Sequence, residues 1–387
     1  MKNKKSNLKV MTFVGTRPEV IRLSQTMLLL DKYVNHVIVH TGQNYTYELN
    51  KIFIKDLGIR KPDYYLKVNT STLGSMMGDT LMKTEKVLLK EKPDAVLILG
   101  DTNSSIAGIM AKRYKIPIYH MEAGNRCYDQ NVPEEINRKI IDHISDFNLV
   151  YTEHARRQLL SEGIAHRRIY LTGSPMNEVL KYYEKSIKQS TIFKKLQLKP
   201  HDYFLVSAHR EENVDNPESL RLIIKAINKI ASEYGKKIII STHPRTQKRI
   251  QEQGNIKFNK NIFLLKPFGF TDYIWLQINA ICTISDSGTI SEESAILGFP
   301  AITIRNATER PEALDAGSII LTGIDESTIT DSINLVINET QIHAPQSRPA
   351  DYGISNTCWR VLKLILGTAK LSNKWAGIEI NRRIKDR

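Results

Sequence analysis

Glu122, Glu134 and Asp101 pose the first chemical question in this sequence. Glu122 follows a short apolar run, Ile116 to Tyr119, in the stretch Pro117-Ile-Tyr-His-Met-Glu-Ala-Gly124. Glu134 stands in Pro133-Glu134-Glu135, which opens a helix on the far side of a loop. Leu97-Ile-Leu-Gly-Asp101 brings a third carboxylate to the end of the preceding strand. In an open α/β sheet such strand ends form the carboxyl edge, where ligands bind. Three acids gathered there repel one another unless a cation, a proton or nearby arginines offset them. Core packing has no use for such a cluster, whereas acid–base chemistry does: one carboxyl gives a proton and another takes one. Crowding is one way to raise the pKa of one member.

The second half of the chain carries a different constellation. Ile284-Ser-Asp-Ser-Gly-Thr-Ile-Ser-Glu-Glu293 reads as a strand, a tight turn and a helix start. The amides of Ser287, Gly288 and Thr289 can cradle a diphosphate at such a terminus, and Glu293, one turn on, can hold the two hydroxyls of a ribose. The same acids also read as an ordinary capping box. Tyr273, in Phe268-Gly-Phe-Thr-Asp-Tyr273 ahead of a helix, can stack on a base. Arg305 and Arg310, the latter in Thr308-Glu-Arg-Pro-Glu312, sit at a strand-to-helix junction. Together these describe a nucleoside-diphosphate site. His209, in Ser207-Ala-His-Arg-Glu-Glu-Asn213, ends the first strand of that half and is expected to face a cleft; His243-Pro-Arg245 is a second candidate.

In the first half, Gly15-Thr-Arg-Pro-Glu19 follows a strand and opens a helix with Pro18 in its first turn. Arg17 there suits a phosphate or a carboxylate. GxGxxG is absent and no acid marks the second strand, so NAD is not expected. No Cys/His spacing calls for a metal, and no cofactor is expected.

The elements that must position these residues alternate almost end to end. Expected strands include 8–14, 36–40, 95–99, 116–119, 148–151 and 168–171, with helices over 20–33, 47–57 and 72–89. After a Lys-rich connection at 181–200, the alternation restarts with strands 204–207, 237–241, 262–265, 282–285, 301–304 and 319–321 and a helix over 219–234. The expected fold class is α/β, with two Rossmann-like, doubly wound parallel sheets. The expected domains are 1–185, 186–360 and a helical tail, 361–387, that folds back on the first.

Composition narrows the classes further. The 387 residues suggest two domains, and 41% hydrophobic with 25% charged residues is the balance of a soluble globular protein. Cys127, Cys282 and Cys358 are scattered, which argues for a reduced, cytoplasmic protein. No apolar run approaches the roughly 18 residues of a membrane span, and the stretch 8–14 is too short for a signal core. The net charge of +14 favours anionic partners, yet no nucleic-acid motif accompanies it.

The motifs, taken in order, resemble the non-hydrolysing UDP-N-acetylglucosamine 2-epimerase family: Gly-Thr-Arg-Pro-Glu at 15–19, Gly-Asp-Thr at 100–102, Glu-Ala-Gly at 122–124, Pro-Glu-Glu-Ile-Asn-Arg at 133–138, Ala-His-Arg at 208–210, Asp-Ser-Gly at 286–288 and Thr-Glu-Arg-Pro-Glu at 308–312. The resemblance spans residues 8 to 325. It implies a glycosyltransferase-B-like pair of domains facing a cleft, a homodimer, and a UDP-activated acetamido sugar as ligand. It assigns Asp101, Glu122, Glu134 and His209 to catalysis. Arg17, Arg22, Tyr273, Ser287, Gly288, Thr289, Glu293 and Arg310 fall to substrate binding. Arg22 replaces a lysine of the best-known branch, and Thr289 replaces a glycine. Asn125 to Gln130, with Gly42-Gln-Asn-Tyr45 and Gly173-Ser-Pro-Met176, resembles instead the capsule and O-antigen branch, which implies UDP-2-acetamido-2,6-dideoxy-L-talose as substrate and UDP-N-acetyl-L-fucosamine as product. The 125–132 loop is then expected to read the hexose. Three rival readings are epimerisation of UDP-N-acetylglucosamine, glycosyl transfer on the same scaffold, and a non-catalytic sensor.

Overall fold

The computed structural model describes residues 5–42, 57–254, 256–342 and 347–378. The helix expected over 47–57 lies, but for its last residue, outside them, as do residues 43–45 of one quoted motif. The chain divides into two units, one of Met1–Arg126, Pro133–Val179 and Gly353–Arg387, the other of Cys127–Val132 and Leu180–Tyr352.

Both expected doubly wound sheets are present. In the first unit seven strands run parallel: β1 (Lys9–Val14), β2 (Asn35–His40), β3 (Tyr64–Tyr65), β4 (Ala95–Leu99), β5 (Ile118–Met121), β6 (Phe147–Val150) and β7 (Ile169–Leu171). Their order is β3-β2-β1-β4-β5-β6-β7. The second unit has β8 (Tyr203–Ser207), β9 (Lys237–Ser241), β10 (Ile262–Leu265), β11 (Thr283–Ser285), β12 (Ala301–Thr303) and β13 (Ile320–Leu321) in the order β10-β9-β8-β11-β12-β13. Each sheet therefore reverses its winding once, between β1 and β4 and between β8 and β11. At such a switch point adjacent loops leave toward opposite faces and open a crevice at the carboxyl edge.

Central strands covered by helices on both faces must be apolar throughout. β4, Ala-Val-Leu-Ile-Leu, is buried at every position. Helices supply the covering layers with one apolar stripe each. Pro217–Tyr234 buries Leu220, Ile223, Ile224, Ile227, Ile230 and Ala231, starts on the Asn216 side chain and stops at left-handed Gly235.

Two sequence expectations change, and one strand, β3, was not expected. The strand expected at 116–119 runs two residues later, because Pro117 has no N–H for the ladder and the Ile116 amide bonds back to Ala111. The two-residue β3 has too little sequence to show any alternation. The Lys-rich stretch 181–200 is largely helical, as Met176–Lys188 and Ile192–Leu196. Val179, Leu180, Tyr183 and Ile187 recur at three- and four-residue steps and are buried, so a narrow apolar stripe survives among the lysines. The change of unit falls inside the first of these helices.

The chain returns to the first unit through the helix Thr357–Thr368. There Thr26 donates to the Cys358 sulfur at 3.4 Å, and the Tyr119 and Thr368 hydroxyls lie 2.6 Å apart. Among the described residues, no helix is long and apolar enough to cross a membrane.

Candidate active site

In the first unit the switch point is bridged by one buried carboxylate. Glu19, in the first turn of the helix Arg17–Tyr33, accepts from the Gly15 and Thr16 amides that follow β1. It also accepts from Thr102 Oγ1 and, at 2.9 Å, from Ser104 Oγ, both in the segment after β4. Burial raises its pKa above the usual carboxylate value even though four donors oppose that shift. Glu19 thus fixes the two loops that carry Arg17 and Asp101.

Asp101 stands just past β4, beyond Gly100 at φ 72°. Arg138 Nε donates to its Oδ2 at 2.6 Å, and Asn137 Nδ2 donates to its backbone carbonyl at 2.9 Å. Both partners lie on the helix Glu134–Ile144, and Arg138 also pairs with Glu135 at 2.7 Å. Arg138 is buried, so this clamp is shielded from solvent screening.

Glu122 follows β5 in the left-handed region, at φ 66°. A residue with a Cβ holds that conformation only where its surroundings over-determine it. Here they do. His120 Nε2 donates to the Gly100 carbonyl at 2.9 Å, and its Nδ1 lies 2.9 Å from the Asp142 carboxylate. Asp142 in turn accepts from the Gly124 amide at 3.2 Å and from Arg126 Nη1 at 2.7 Å, and Arg126 pairs onward with Glu162 at 2.7 Å. The turn 122–124 is thereby held rigidly above a buried ionic network. Its carboxylate meets Arg22 Nη1, while Asn125 Nδ2 sits 3.4 Å from its other oxygen. Arg22 is itself buried, its guanidinium 6.0 Å from the Tyr151 ring centre. The expected acids Asp101 and Glu122 therefore sit on adjacent strands, each against a buried arginine. Glu134 opens its helix, half-buried.

Gly124 tests how tightly this turn is set. Its φ is 84°, and a Cβ would come within 2.5 Å of the Ala155 carbonyl oxygen. Gly124→Ala is expected to cost on the order of 3 kcal/mol from backbone strain and overpacking together. Urea denaturation measures it; a loss below about 0.5 kcal/mol, typical of surface changes, would show the turn to be compliant.

The second unit repeats the device. Asp286, just past β11, accepts from the amides of His209 at 2.9 Å and Arg210 at 2.9 Å, which follow β8, and from Asn213 Nδ2 at 3.1 Å. The His209 ring adds Nδ1 at 3.1 Å. Burial alone would raise this carboxyl. The His209 charge and hydrogen bond, with the two amides, outweigh burial and hold it below the usual carboxylate range. His209 is fixed by Nδ1 and backbone, and its side chain remains 40% exposed.

The turn after Asp286 is partly committed to itself. The Ser287 amide donates to Ser285 Oγ at 3.1 Å, and the Ser287 and Thr289 hydroxyls meet at 3.0 Å. Of the three amides expected to cradle a diphosphate, only that of Gly288 donates to nothing among the described residues. A Cβ at Gly288 would require the Glu309 carboxylate to shift. Glu293 is buried and accepts from Gln277 Nε2 at 2.7 Å. Tyr273 lies inside the helix Phe270–Ile278 and not ahead of it, half-buried, with burial raising its hydroxyl pKa. Arg310 is 1% exposed and pairs with Glu292 at 3.1 Å, so its guanidinium braces the helix Ile290–Leu297 from below. His243 caps the helix Pro244–Gln253, accepting from the Arg245 amide at 3.2 Å.

Glu19, Arg138, Asp142 and Asp286 were not among the expected functional residues. Three of them lie in quoted motifs, and for Glu19 and Asp286 the available signal was position at a helix start or strand end. Asp142 had no local signal, since its partners are 16 to 22 residues away in sequence.

A sequence model described as UDP-N-acetylglucosamine 2-epimerase matches residues 28–366. A UDP-N-acetylglucosamine 2-epimerase of Methanocaldococcus jannaschii is 40% identical over 341 residues, covering 86% of this chain and 93% of that protein. The solved structure of a UDP-N-acetylglucosamine 2-epimerase from Rickettsia bellii is 45% identical, covers 95% of this chain and 99% of its own, and superposes with a TM-score of 0.89. A structure of the Methanocaldococcus jannaschii enzyme in complex with UDP-GlcNAc and UDP superposes at 0.87, with 36% identity over 93% of this chain and all of that one.

Proposed function

Because the chain belongs to the UDP-N-acetylglucosamine 2-epimerase family, we propose that it inverts C2 of a UDP-activated 2-acetamido sugar by eliminating UDP and adding it back. The observation that carries the reading is the pair Asp101 and Glu122 on adjacent strand ends, each oriented by a buried arginine.

The C2 hydrogen of such a sugar is not beside a carbonyl, so a base alone does not remove it. Breaking the C1–O bond sends its electron pair to UDP and leaves oxocarbenium character at C1, which acidifies the hydrogen on C2. A carboxylate takes that proton and a C1–C2 double bond forms. A second carboxyl returns a proton to the opposite face while the UDP oxygen re-forms the bond to C1. Atoms and charge balance without a redox partner. Asp101, Glu122 and Glu134 supply the acid and the base. Arg17, Arg22 and His209, with the Gly288 amide, supply positive charge and donors for the departing diphosphate. Thr289 and Ser287 shape that turn, Glu293 suits ribose hydroxyls, Tyr273 flanks the nucleotide, and Arg310 acts through Glu292.

Two substrates compete. UDP-N-acetylglucosamine is supported by the activity named for the relatives above. UDP-2-acetamido-2,6-dideoxy-L-talose is supported by the residues around Asn125 and at 173–176, with the 125–132 loop reading the hexose. Incubating the purified protein with each UDP-sugar, without an acceptor, and following C2 by proton NMR in heavy water tests all of this. The expected result is inversion at C2 with deuterium incorporated there. Retention of the original hydrogen would exclude elimination, and hydrolysis or no turnover on both sugars would remove the reading.

A further inference from the structure

The helix Thr357–Thr368 buries Cys358, Val361, Leu362 and Ile365 on one side. Its other side carries Trp359, Lys363 and Leu366. Steps of four and three residues keep these three on one stripe, and exposed Lys370 follows just past the helix end. Beyond it, Leu371, Lys374 and Trp375 are exposed around the short helix Ser372–Trp375, which Asn373 ties to the Lys115 carbonyl at 2.9 Å. Trp359 is 43% exposed and Trp375 52%, large values for the most costly side chain to leave in water. Leu366 and Leu371 are exposed beside them.

The charge on this segment is one-sided. From Thr357 to Ile378 the sequence holds Arg360, Lys363, Lys370 and Lys374 and no acid. On the neighbouring helix, Lys32 lies 5.4 Å from the Tyr33 ring centre, and Tyr33 packs on Trp359 at 5.4 Å.

We propose that this face docks on an anionic lipid surface. Indole rings favour the boundary between headgroups and acyl chains, where one edge is wet and the other apolar. Lysines beside them lay their stems along apolar matter and keep the ammonium among phosphates. A second copy of the chain fits poorly, since a two-fold contact would bring two copies of this lysine-bearing segment together with no acid in it to pair them. Nucleic acid would use the lysines but would leave Leu366 and Leu371 without a partner.

Sedimentation of the full chain with vesicles tests the proposal, comparing phosphatidylcholine alone with equal parts phosphatidylcholine and phosphatidylglycerol. Binding is expected to be about tenfold tighter to the anionic vesicles, to fall as salt is raised, and to shift tryptophan emission to the blue. Lys363→Glu/Lys370→Glu and Trp359→Ala/Trp375→Ala should each lower it about tenfold, with epimerisation of the free UDP-sugar unchanged. The lysine pair is fully surface-placed and keeps the test valid if the tryptophan variant folds poorly. Equal binding to both vesicle types, or anionic binding that survives the charge reversal, would overturn the proposal. So would light scattering that shows the charge reversal to change oligomeric state, which would make the occupant a second chain.

Discussion

Replacing Glu122 with glutamine is expected to lower turnover by roughly 100-fold or more, the usual scale for an acid–base group. Glutamine keeps the volume and one acceptor oxygen, so Arg22 and Asn125 still have a neighbour to meet. The carboxylate that takes or gives the proton is gone. Asp101→Asn should fall by a similar factor for the same reason. The stability cost of Asp101→Asn should be modest, because Arg138 keeps Glu135 at 2.7 Å after Asp101 is neutralised. Losing one partner of a buried pair is costly, and a second carboxylate softens that cost. Turnover by NMR and urea midpoints for both variants separate chemistry from folding. Near-normal turnover in either one would remove that residue from the catalytic set.

Asp286→Ala should have the largest effect on stability. The substitution takes the carboxylate acceptor from the amides of His209 and Arg210 and from the His209 ring, while Asn213 Nδ2 keeps only the Ile304 carbonyl, at 3.1 Å. A cost on the order of 3–5 kcal/mol follows for breaking a buried charge-assisted cluster from one side. Activity should fall too, because His209 loses the contacts that orient it. The pH dependence has a definite sign. Asp286 has a folded-state pKa below its unfolded one. Its contribution is therefore fully present above about pH 4, near the unfolded carboxylate value, and is lost as pH falls through the depressed value. The stability gap between the wild type and Asp286→Asn should be constant from neutral pH down to that point and narrow below it. A gap that stays constant into strong acid would show that Asp286 is not held as the charged partner.

Most of the strands and covering helices were legible because each is specified by its own residues: apolar runs for buried strands, three- and four-residue steps for helices, Pro and Gly at their ends. Where a second influence competed, the expectation slipped. Pro117 moved β5 by two residues, and lysine-rich composition masked the stripe of Val179, Tyr183 and Ile187. The candidate site divides the same way. Asp101, Glu122, Glu134 and His209 stand at strand ends or a helix start that the alternation itself marks, and their carboxylate or imidazole chemistry is a property of residue type.

What those groups touch was not legible. The crowding of three acids suggested mutual repulsion, yet Arg22 reaches Glu122 across 100 residues of chain and Arg138 reaches Asp101 across 37. The residues that organise each carboxyl edge, Glu19 and Asp286, bridge loops that only the switch in strand order makes neighbours. The left-handed backbone of Glu122 likewise depends on His120, Asp142 and Arg126 meeting beneath it. Local sequence determined the elements and the reactive groups at their ends, because periodicity and residue type are local properties. The ion-pair partners, the bridging carboxylates and the strained turn came from tertiary structure alone, because sheet order decides which loop ends meet.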